Sequence, residues 1–428
     1  RQVLQNPIIV VIAATIGIDV TDRPGGIFIR QADQISNEDR ILLQTVARII
    51  ISDSKGSLED QVNRKQSART GIPHLTTIQS HTPQFTSVQE PKDLMFFNGI
   101  GGFAPDGQEY VIITKPDQPT PAPWSNVLAN AHFGSVISES GQSYTWTENA
   151  HELRLTPWLN DPVSDASGEV FYLRDEETGH FWSPMPLPAA GHSPYIIRQG
   201  FGYSVFEHSE DGINSEVTVF VDIYATVKFT SIKLRNNSGR TRRISATGYV
   251  EWVLGDLRPK TSMHIITELD YNTGAILAKN PYNLEFGNKI AFFDADDGSR
   301  TFTCDRTEFI GRNGTLAKPD AMTRTKLSGR LGAALDPCAA IQVTFALTDE
   351  QEKEIVFRLG TARDTNEASV SVRNFRGPIA TVDALEKVKK YWQHSLGGLQ
   401  VETPDKAFNT LANGWLTYQA LACRLRAR

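Results

Sequence analysis

The sequence predicts a mainly β protein built around one large antiparallel β-sandwich. Between about Leu94 and Val372, short apolar or alternating runs recur roughly every ten residues, and turn residues rather than long helical patterns separate them. The run VKFTSIKL (227–234) alternates imperfectly with a period of two, as a strand with one buried face does. The tight-turn sequences EETG (176–179) and NNSG (236–239) lie between such runs. Short connections of this kind favour antiparallel sheets.

Residues 1–66 are predicted to form a small α/β segment ahead of the sandwich. The apolar run IIVVIAATIGI (8–18) is shorter than the roughly 20 residues of a membrane-spanning helix and lacks a secretory pattern, so we expect a buried strand. IFIR (27–30) predicts a second, short strand. In SNEDRILLQTVARIIIS (36–52), the leading serine, the acidic first turn and an apolar stripe predict a helix. SLEDQVNRK (57–65) starts in the same way and predicts another.

The remaining segments complete the predicted domain organisation. Residues 67–91, rich in Ser, Thr, Gln and Pro, are interpreted as a linker, and residues 92–378 as the sandwich. Residues 379–428 are predicted to form linker helices, of which VDALEKVKKYWQHSLGG (382–398) ends at glycines. The last segment carries an apolar stripe at helical spacing, namely Phe408, Leu411, Trp415, Tyr418 and Leu425. The stripe needs a partner surface, so we expect the chain to stop at the entrance of a further helical domain.

The composition argues against several classes of protein. The 428 residues carry a formal net charge of −6 and no basic run, so no nucleic-acid partner is indicated. No run is long and apolar enough for a direct membrane span. Cys304, Cys338 and Cys423 are sparse, odd in number and without CxxC spacing. This pattern indicates reduced, packed thiols and a cytoplasmic location.

One loop, RLTPWLNDP (154–162), combines the residue types that a sugar site needs. Trp158 offers a flat apolar face to a pyranose ring, and Arg154, Asn160 and Asp161 offer donors and acceptors to hydroxyl groups. A structural interpretation is also open, in which an Arg–Asp pair and an Asx turn hold a proline-rich corner. The loop is therefore the leading candidate for substrate binding.

Other aromatic and glycine-rich stretches are weaker candidates. Trp124 in PAPW and Trp146 in YTW are further candidates for sugar contact, although an aromatic residue at a strand end usually belongs to a core or an interface. Trp182 and Trp252 are predicted to be core residues, because WSP and EWV are typical of half-buried strands. GFGY (200–203) lacks GxGxxG spacing and a following helix, so nucleotide binding is rejected. Its glycines are expected to allow a bulge or a close backbone approach.

The sequence indicates neither a catalytic carboxylate pair nor a metal site. The acids of DEE (175–177) lie at a predicted hairpin tip, where we expect them to be solvated. DADDGS (294–299) has the composition of a calcium loop without its twelve-position pattern, and Ser138 is not in a GxSxG elbow. No HxH or HExxH spacing predicts a zinc site among His151, His180, His192, His208 and His264.

Long segments of the chain resemble a known family. The amino-terminal β-sandwich of inverting glycoside phosphorylases, which include cellobiose and chitobiose phosphorylases, is similar to residues 96–112, 120–165, 171–184 and 198–208. The closer resemblance is to the phosphorylase-like carboxyl-terminal region of cyclic β-1,2-glucan synthases. It is carried also by DRPGGIFIRQADQISNEDRILLQTVARI (22–49), YVEWVLG (249–255), AKNPYN (278–283), DRTEFIGRNGTL (305–316) and LDPCAA (335–340). The resemblance covers nearly the whole chain.

The resemblance implies a galactose-mutarotase-like β-supersandwich, a helical linker and then an (α/α)₆ barrel that holds the active site. In the phosphorylases, a barrel aspartate protonates the glycosidic oxygen while inorganic phosphate attacks the anomeric carbon from the opposite face. NGWLTYQALACRLRAR (413–428) resembles the entry into that barrel, so no residue here inherits the acid role. The implied partners are a β-glucan oligosaccharide, the barrel of the same parent protein and a second copy in a homodimer. Phosphate is the implied co-substrate of the full-length enzyme, and no cofactor is implied.

The resemblance also implies where this portion acts. In the family, the stretch matching RLTPWLND lies on the side from which sugar enters. The chain is then the non-catalytic sandwich of a cyclic β-1,2-glucan synthase-like or β-glucan phosphorylase-like enzyme, and it shapes the acceptor side. A membrane-bound parent would hold it at the cytoplasmic face of the inner membrane. The alternative is an autonomous carbohydrate-binding or assembly module, and a self-sufficient hydrolase is disfavoured because no acid–base pair is recognised.

Overall fold

The computed structural model describes residues 2–31, 34–47, 49–53, 56–62, 72–82, 91–115 and 118–426. The chain divides into two compact units, residues 1–71 and residues 72–428. All the candidate site residues lie in the larger one.

The described part of the smaller unit is helical. It contains α1 (Gln2–Thr15), a 3₁₀ turn (Ile18–Val20), α2 (Asn37–Val46) and α3 (Leu58–Val62). The buried strand predicted at residues 8–18 is wrong, because most of this run lies in α1. An apolar run of this length fits a helix as well as a strand, and its paired alanines favour the helix.

The other predictions for the smaller unit have mixed outcomes. A parallel bridge between Thr21 and Ile27 is the one strand-like pairing in the described part of this unit, so the predicted strand at IFIR is wrong. The predicted helix start is confirmed, since the Ser36 hydroxyl accepts a 3.0 Å hydrogen bond from the Asp39 amide. The last residues of the predicted helix at 57–65 lie outside the described residues.

Eighteen strands are found in the described residues of the larger unit. They are β1 (Gly101–Phe103), β2 (Glu109–Thr114), β3 (Ser125–Ala129), β4 (Phe133–Ser138), β5 (Ser143–Thr147), β6 (Glu169–Asp175), β7 (Phe181–Trp182), β8 (Tyr195–Gly200), β9 (Tyr203–Glu210), β10 (Ile213–Val221), β11 (Val227–Asn236), β12 (Arg242–Glu251), β13 (Ile266–Leu269), β14 (Ile276–Lys279), β15 (Ile290–Ala295), β16 (Arg300–Asp305), β17 (Pro337–Leu347) and β18 (Glu352–Ala362).

The strands form three sheets. The largest has ten strands in the order β1-β2-β8-β9-β10-β11-β18-β15-β14-β13, the second has the order β16-β17-β12-β6-β7, and the third is β3-β4-β5. Neighbouring strands in all three sheets are antiparallel. The predicted mainly β, antiparallel architecture is therefore confirmed.

Three buried apolar clusters are found among the described residues, and two of them involve the ten-stranded sheet. The larger core combines buried side chains from all three sheets, including Ile232 of β11, Leu173 of β6 and Ile137 of β4. A second core joins the ten-stranded sheet to the carboxyl-terminal helices, with Phe220 and Phe229 stacked 4.7 Å apart. Residues of the large sheet therefore contribute to both cores.

The two predicted tight turns connect their strands differently. EETG closes the β6–β7 hairpin, and Gly179 takes a φ of +74° there. NNSG closes no hairpin, because β11 belongs to the ten-stranded sheet and β12 to the five-stranded sheet. The side-chain amide of Asn236 donates hydrogen bonds to the carbonyls of Arg240 (2.7 Å) and Leu347 (2.8 Å), and these bonds stabilise the crossover.

Part of the segment interpreted as a linker is hydrogen bonded to the sandwich. The Leu75 amide donates to the Thr323 carbonyl (2.8 Å), and the Ile78 amide donates to the Glu177 carbonyl (2.8 Å).

The packing of the cysteines differs from expectation at one position. The thiols of Cys304 and Cys338 are free and buried, whereas Cys423 is exposed.

Helices lie between strands and at the carboxyl-terminal end of the larger unit. They include α4 (Arg258–Thr261), α5 (Arg306–Ile310), α6 (Thr365–Asn374), α7 (Pro378–Leu396), α8 (Lys406–Thr410) and α9 (Leu416–Ala420), with π-helical turns at Leu411–Trp415 and Leu421–Arg426. The predicted helix over 382–398 is confirmed and ends at Gly397. No helix among the described residues is both long and apolar enough to cross a membrane.

The GFGY turn between β8 and β9 receives the helices. A side chain at Gly202 would come within 2.3 Å of the Trp392 indole nitrogen, so a residue without Cβ lets α7 approach. Phe201 contacts Trp415 with a centroid distance of 4.8 Å. Gly202 thus allows a close approach, although an indole rather than a backbone is the neighbour.

The apolar stripe of the last helical segment is only partly exposed. Trp415 and Tyr418 are buried, whereas Phe408 and Leu411 are exposed. The sandwich itself therefore provides part of the partner surface that the stripe needs. The side chain of Leu425 lies outside what the structure describes.

Replacing Tyr418 with Phe should lower the free energy of unfolding by about 1–3 kcal/mol, because buried polar groups would lose their partner. The hydroxyl lies 2.7 Å from Asn126 Oδ1 and 3.0 Å from the Val127 carbonyl, and it accepts a 3.0 Å hydrogen bond from the Gly202 amide. Urea denaturation measures the loss, with the exposed Tyr271→Phe as the matched control. Equal midpoints for the two variants would contradict this prediction.

Candidate functional site

A cavity of about 250 Å³ opens between the three-stranded sheet and the loop that follows β5. Three predicted site residues, Trp158, Asn160 and Asp161, line it together with Tyr144 of β5 and Asp165. We call this cavity the Trp158 pocket. The fold thus brings together three of the six predicted substrate-binding residues at one surface.

Trp158 and Tyr144 form the aromatic wall of the pocket. Their ring centroids lie 4.7 Å apart with the planes inclined by 39°. Trp158 is 41% exposed, while Tyr144 is half-buried and burial raises the pKa of its phenol. Tyr144 also contacts Trp146 at a centroid distance of 5.3 Å. The indole of Trp158 is therefore supported by a second ring and remains accessible to solvent.

Asn160 and Asp161 turn the chain at the pocket rim. Asn160 takes a φ of +49°, a conformation that asparagine tolerates well. Asp161 Oδ1 accepts a 2.9 Å hydrogen bond from the Val163 amide, and the Ser164 hydroxyl bonds Oδ2. The bond from Ser164 is the main cause that lowers the pKa of Asp161 below 3.8. The exposed carboxylate is therefore ionised at neutral pH, and the Asx turn of the structural interpretation is present.

No sequence pattern marks two further carboxylates, Asp165 in the pocket wall and Glu139 in the β4–β5 turn. Asp165 Oδ2 accepts a 2.5 Å hydrogen bond from the Ser138 hydroxyl and another from Ser140. Burial raises the pKa of both carboxyl groups, and the charge of Asp165 adds to the rise at Glu139. The serines of ISESG lie 27 and 25 residues from Asp165 in the sequence, so only the fold shows that they bond it.

Arg154 supports the base of the loop. Its Nε donates to the Ala150 carbonyl (3.2 Å) and its Nη1 donates to the Asp256 carbonyl (3.1 Å). Its guanidinium therefore bonds backbone carbonyls instead of the predicted partner, Asp161. In the described part of the chain it does not line the Trp158 pocket.

Trp124 and Trp146 are placed in different surroundings from Trp158. Trp146 is only 1% exposed, and its ring packs on Gly134, where any Cβ would clash with it. That burial leaves no face for a sugar ring, which is the physical reason against its predicted role. Trp124 is half-buried against the main core and lies 6.0 Å from the ring centroid of Tyr110. Trp182 and Trp252 are fully buried, as predicted.

The acids at the β6–β7 hairpin tip are not simply solvated, so that prediction is wrong. Asp175 is fully buried and bonds Arg242. Glu176 is also buried, 2.7 Å from Arg174 Nη2. Arg174 of β6 and Arg242 of the adjacent strand β12 neutralise these carboxylates. An unpaired buried charge would be costly.

The acids of DADDGS contact basic side chains as well. Asp294 lies within 2.8 Å of Arg300 Nη1 and within 2.6 Å of Arg376 Nη2. Asp296 lies 2.7 Å from Arg358 Nη1. These carboxylates balance arginine charge, which accounts for the acid-rich composition.

The sequence of this chain matches a known protein family. Residues 108–378, more than half of the chain, match the family described as glycosyl hydrolase 94, supersandwich domain. The chain belongs to this family. The glycosyl hydrolase 94 supersandwich accounts for the three antiparallel sheets and confirms both the resemblance and the supersandwich fold class.

Named relatives of this glycosyl hydrolase 94 supersandwich are carbohydrate-active enzymes. The chain is similar to the cyclic β-(1,2)-glucan synthase NdvB of Rhizobium meliloti, with 32% identity over 94% of this chain and 14% of that protein. It is similar to the N,N′-diacetylchitobiose phosphorylase of Vibrio furnissii, with 30% identity over 77% of this chain and 41% of that protein. The chain thus spans less than half the length of either relative.

One solved structure is similar to part of the chain. A putative aldose 1-epimerase from Escherichia coli is similar over 56% of this chain and 99% of its own, with 7% identity and a TM-score of 0.34.

Proposed function

We propose that this chain is the non-catalytic supersandwich portion of a cyclic β-1,2-glucan synthase-like or β-glucan phosphorylase-like enzyme. Its role is to shape the acceptor side of the active site and to mediate subunit contacts. The observation that carries the sugar-binding part of the proposal is the accessible Trp158 indole over a cavity edged by Asn160 and Asp161. Membership of the glycosyl hydrolase 94 family supports the enzyme class.

The Trp158 pocket has the chemistry that a glucosyl residue needs. The C–H face of a pyranose ring packs on an indole face, whose π electrons make it weakly negative. An ionised carboxylate such as Asp161 has about four acceptor positions, so it can bond sugar hydroxyls beside its bonds to the turn. The cavity of about 250 Å³ is smaller than the roughly 300–1,000 Å³ of sites for drug-sized ligands, which suits one sugar unit.

The proposal assigns catalysis to another part of the parent protein. Asp161 has a lowered pKa and Asp165 a raised one, a separation that acid–base pairs also show. Two serine hydroxyls bond the same oxygen of Asp165, so we assign it to positioning the loop. The parent would contribute an (α/α)₆ barrel, use inorganic phosphate as co-substrate without a cofactor and form a homodimer. We place it at the cytoplasmic face of the inner membrane.

Replacing Trp158 with Ala should weaken binding of β-1,2-glucan oligosaccharides by about tenfold, or about 1.4 kcal/mol, because the stacking face is lost. Binding is followed by ligand-observed NMR with the 428-residue chain, and by the KM for acceptor in the parent enzyme. The matched control is Tyr271→Ala, which removes an aromatic ring that is 96% exposed and lies outside the pocket.

Two results would count against the proposal. Unchanged acceptor KM in Trp158→Ala would move the sugar surface elsewhere. Release of glucose or glucose 1-phosphate by the 428-residue chain alone, abolished in Asp165→Asn, would make this portion catalytic.

The second candidate function is an autonomous carbohydrate-binding module. It is favoured by one observation, namely that every residue lining the pocket comes from residues 122–167 of the larger unit. Oligosaccharide binding by the isolated chain as tight as by the parent enzyme supports this module. Binding that needs the parent supports the acceptor-side role.

A further inference from the structure

A second group of polar side chains lies away from the Trp158 pocket, at one end of the β6–β7 hairpin. The spacing of the histidines along the sequence predicts no zinc site, yet the fold gathers residues from four separate segments. We call this group the histidine cluster; its members are His81, His180, His192, His208, Glu210 and Asp211.

Three members present donor atoms that face one another. His180 Nε2 lies 3.1 Å from Glu210 Oε1, and His192 Nδ1 lies 2.5 Å from the same oxygen. One ligand atom from each of the three residues lies within 4.8 Å of the others. Donors around a tetrahedral zinc ion with bonds of about 2.1 Å lie about 3.4 Å apart, so small side-chain movements would close this set around an ion.

Glu210 is the carboxylate at the centre of the cluster. It is buried, and its oxygens lie within hydrogen-bond distance of the His180 ring and of both the ring and the backbone amide of His192. His208 Nε2 lies 3.3 Å from Glu210 Oε2, while its Nδ1 lies 3.2 Å from the Pro194 carbonyl. His208 therefore contacts the carboxylate without belonging to the proposed ligand set, the position that supporting residues of metal sites take.

His81 and Asp211 extend the arrangement on the other side of His180. The rings of His81 and His180 stack with centroids 3.8 Å apart and planes inclined by 9°. His81 Nε2 lies 2.7 Å from Asp211 Oδ2. One ligand atom from each of His81, His180 and Asp211 also lies within 4.8 Å of the others. The ring of His180 is thus held by stacking on His81 and by its contact with Glu210.

We propose that the histidine cluster binds one divalent transition-metal ion of the zinc type, with His180, His192 and Glu210 as ligands. Imidazole nitrogens with one carboxylate are a donor set that zinc prefers, and hard ions such as magnesium do not. His192 is 41% exposed and provides the entry path, while Glu210 is buried. The bound ion would link the β6–β7 hairpin, the β7–β8 connection and the end of β9.

The test uses the 428-residue chain stripped with a chelator and titrated with ZnCl₂ by calorimetry, and with CoCl₂ by visible absorption. We expect one ion per chain and the intense d–d bands of four-coordinate cobalt. His192→Ala should weaken zinc binding by more than the roughly 10–100-fold that loss of an outer partner causes. The matched control is His151→Ala, which removes an exposed histidine 2.7 Å from Glu152.

Every outcome bears on the proposal. No stoichiometric uptake by the wild-type chain would show that the cluster is a hydrogen-bonded network only. Equal loss of binding in His151→Ala, or unchanged affinity in His192→Ala, would place the ion elsewhere and overturn the assignment. His180→Ala with a native circular dichroism spectrum and lost cobalt bands would support it independently of His192. Sugar binding at the Trp158 pocket does not enter these measurements, so the two proposals fail separately.

Discussion

Replacing Lys228 with Met is expected to lower the free energy of unfolding by about 3–5 kcal/mol. Lys228 and Glu169 are buried between the sheets, with Nζ 2.7 Å from Oε2. The ammonium also donates to the hydroxyls of Ser135 (2.9 Å) and Ser143 (2.8 Å). Removing it leaves a buried carboxylate without its counter-charge, which is why the loss exceeds that of an ordinary surface pair.

Urea denaturation of the variant measures this loss. The matched control is Lys279→Met, whose partner Glu268 lies 2.6 Å away at the surface, and which should cost at most about 1 kcal/mol. Adding Glu169→Leu to Lys228→Met should recover stability, because no buried charge then remains. Similar losses for Lys228→Met and the surface control would refute the assigned role of this pair.

The stabilising effect of the pair also depends on pH. Burial alone would raise the pKa of Glu169, but the Lys228 charge lowers it below 4.5. Because the folded value lies below the unfolded value, the contribution is present above about pH 4.5 and is lost as pH falls through the folded pKa. In Lys228→Met, the burial of Glu169 dominates and raises its pKa. The pH dependence of stability that this carboxyl group causes therefore reverses. As pH falls, the difference in stability between wild type and variant should therefore begin to narrow above pH 4.5, where Glu169 of the variant is protonated, and narrow further below pH 4.5, where the wild type loses its contribution.

Replacing Asp294 with Asn should cause a comparable loss, again about 3–5 kcal/mol. The carboxylate is fully buried among three guanidinium groups, those of Arg300, Arg376 and Arg358. Arg358 is also fully buried, with Nη1 3.7 Å from Asp294 Oδ2. Asparagine keeps the shape of the side chain, so the loss reports charge rather than packing.

The readout for this second variant combines denaturation with amide hydrogen exchange. Arg376 precedes α7 and bonds Asp294, so exchange should accelerate in α7 as well as in β15. Asp297→Asn is the matched control, because Asp297 pairs with Lys353 at 3.2 Å in a half-buried position. A stability change below about 1 kcal/mol in Asp294→Asn would show that the arginines do not depend on this carboxylate.

Local patterns predicted the sandwich, because alternation and turn chemistry are properties of neighbouring residues. The hairpin at EETG and the helix that ends at Gly397 are correct for this reason. The run at residues 8–18 is an exception, since its apolar residues satisfy helical and strand patterns equally. NNSG was recognised as a turn, but the sheet assignment of β11 and β12 depends on distant partners.

The candidate site was predictable where its residues are close in sequence. Trp158, Asn160 and Asp161 share one loop and line one cavity. Arg154 belongs to the same loop, but its side chain is oriented by a hydrogen bond to the carbonyl of Asp256. That residue lies 102 residues further along the chain. The histidine cluster is harder still, because His81 and Asp211 are 130 residues apart and only the fold places them together.

The position of β18 has a consequence for how the protein can be made on a ribosome. This strand follows the other seventeen in the sequence of the described residues, yet it lies between β11 and β15 and joins six strands of the ten-stranded sheet to the remaining three. Until it emerges, β11 and β15 each present an unpaired edge, which is a template for wrong pairing with another chain. Domains generally fold as units during synthesis, so completion must wait for this strand, and nascent chains stalled before residue 352 should recruit chaperones.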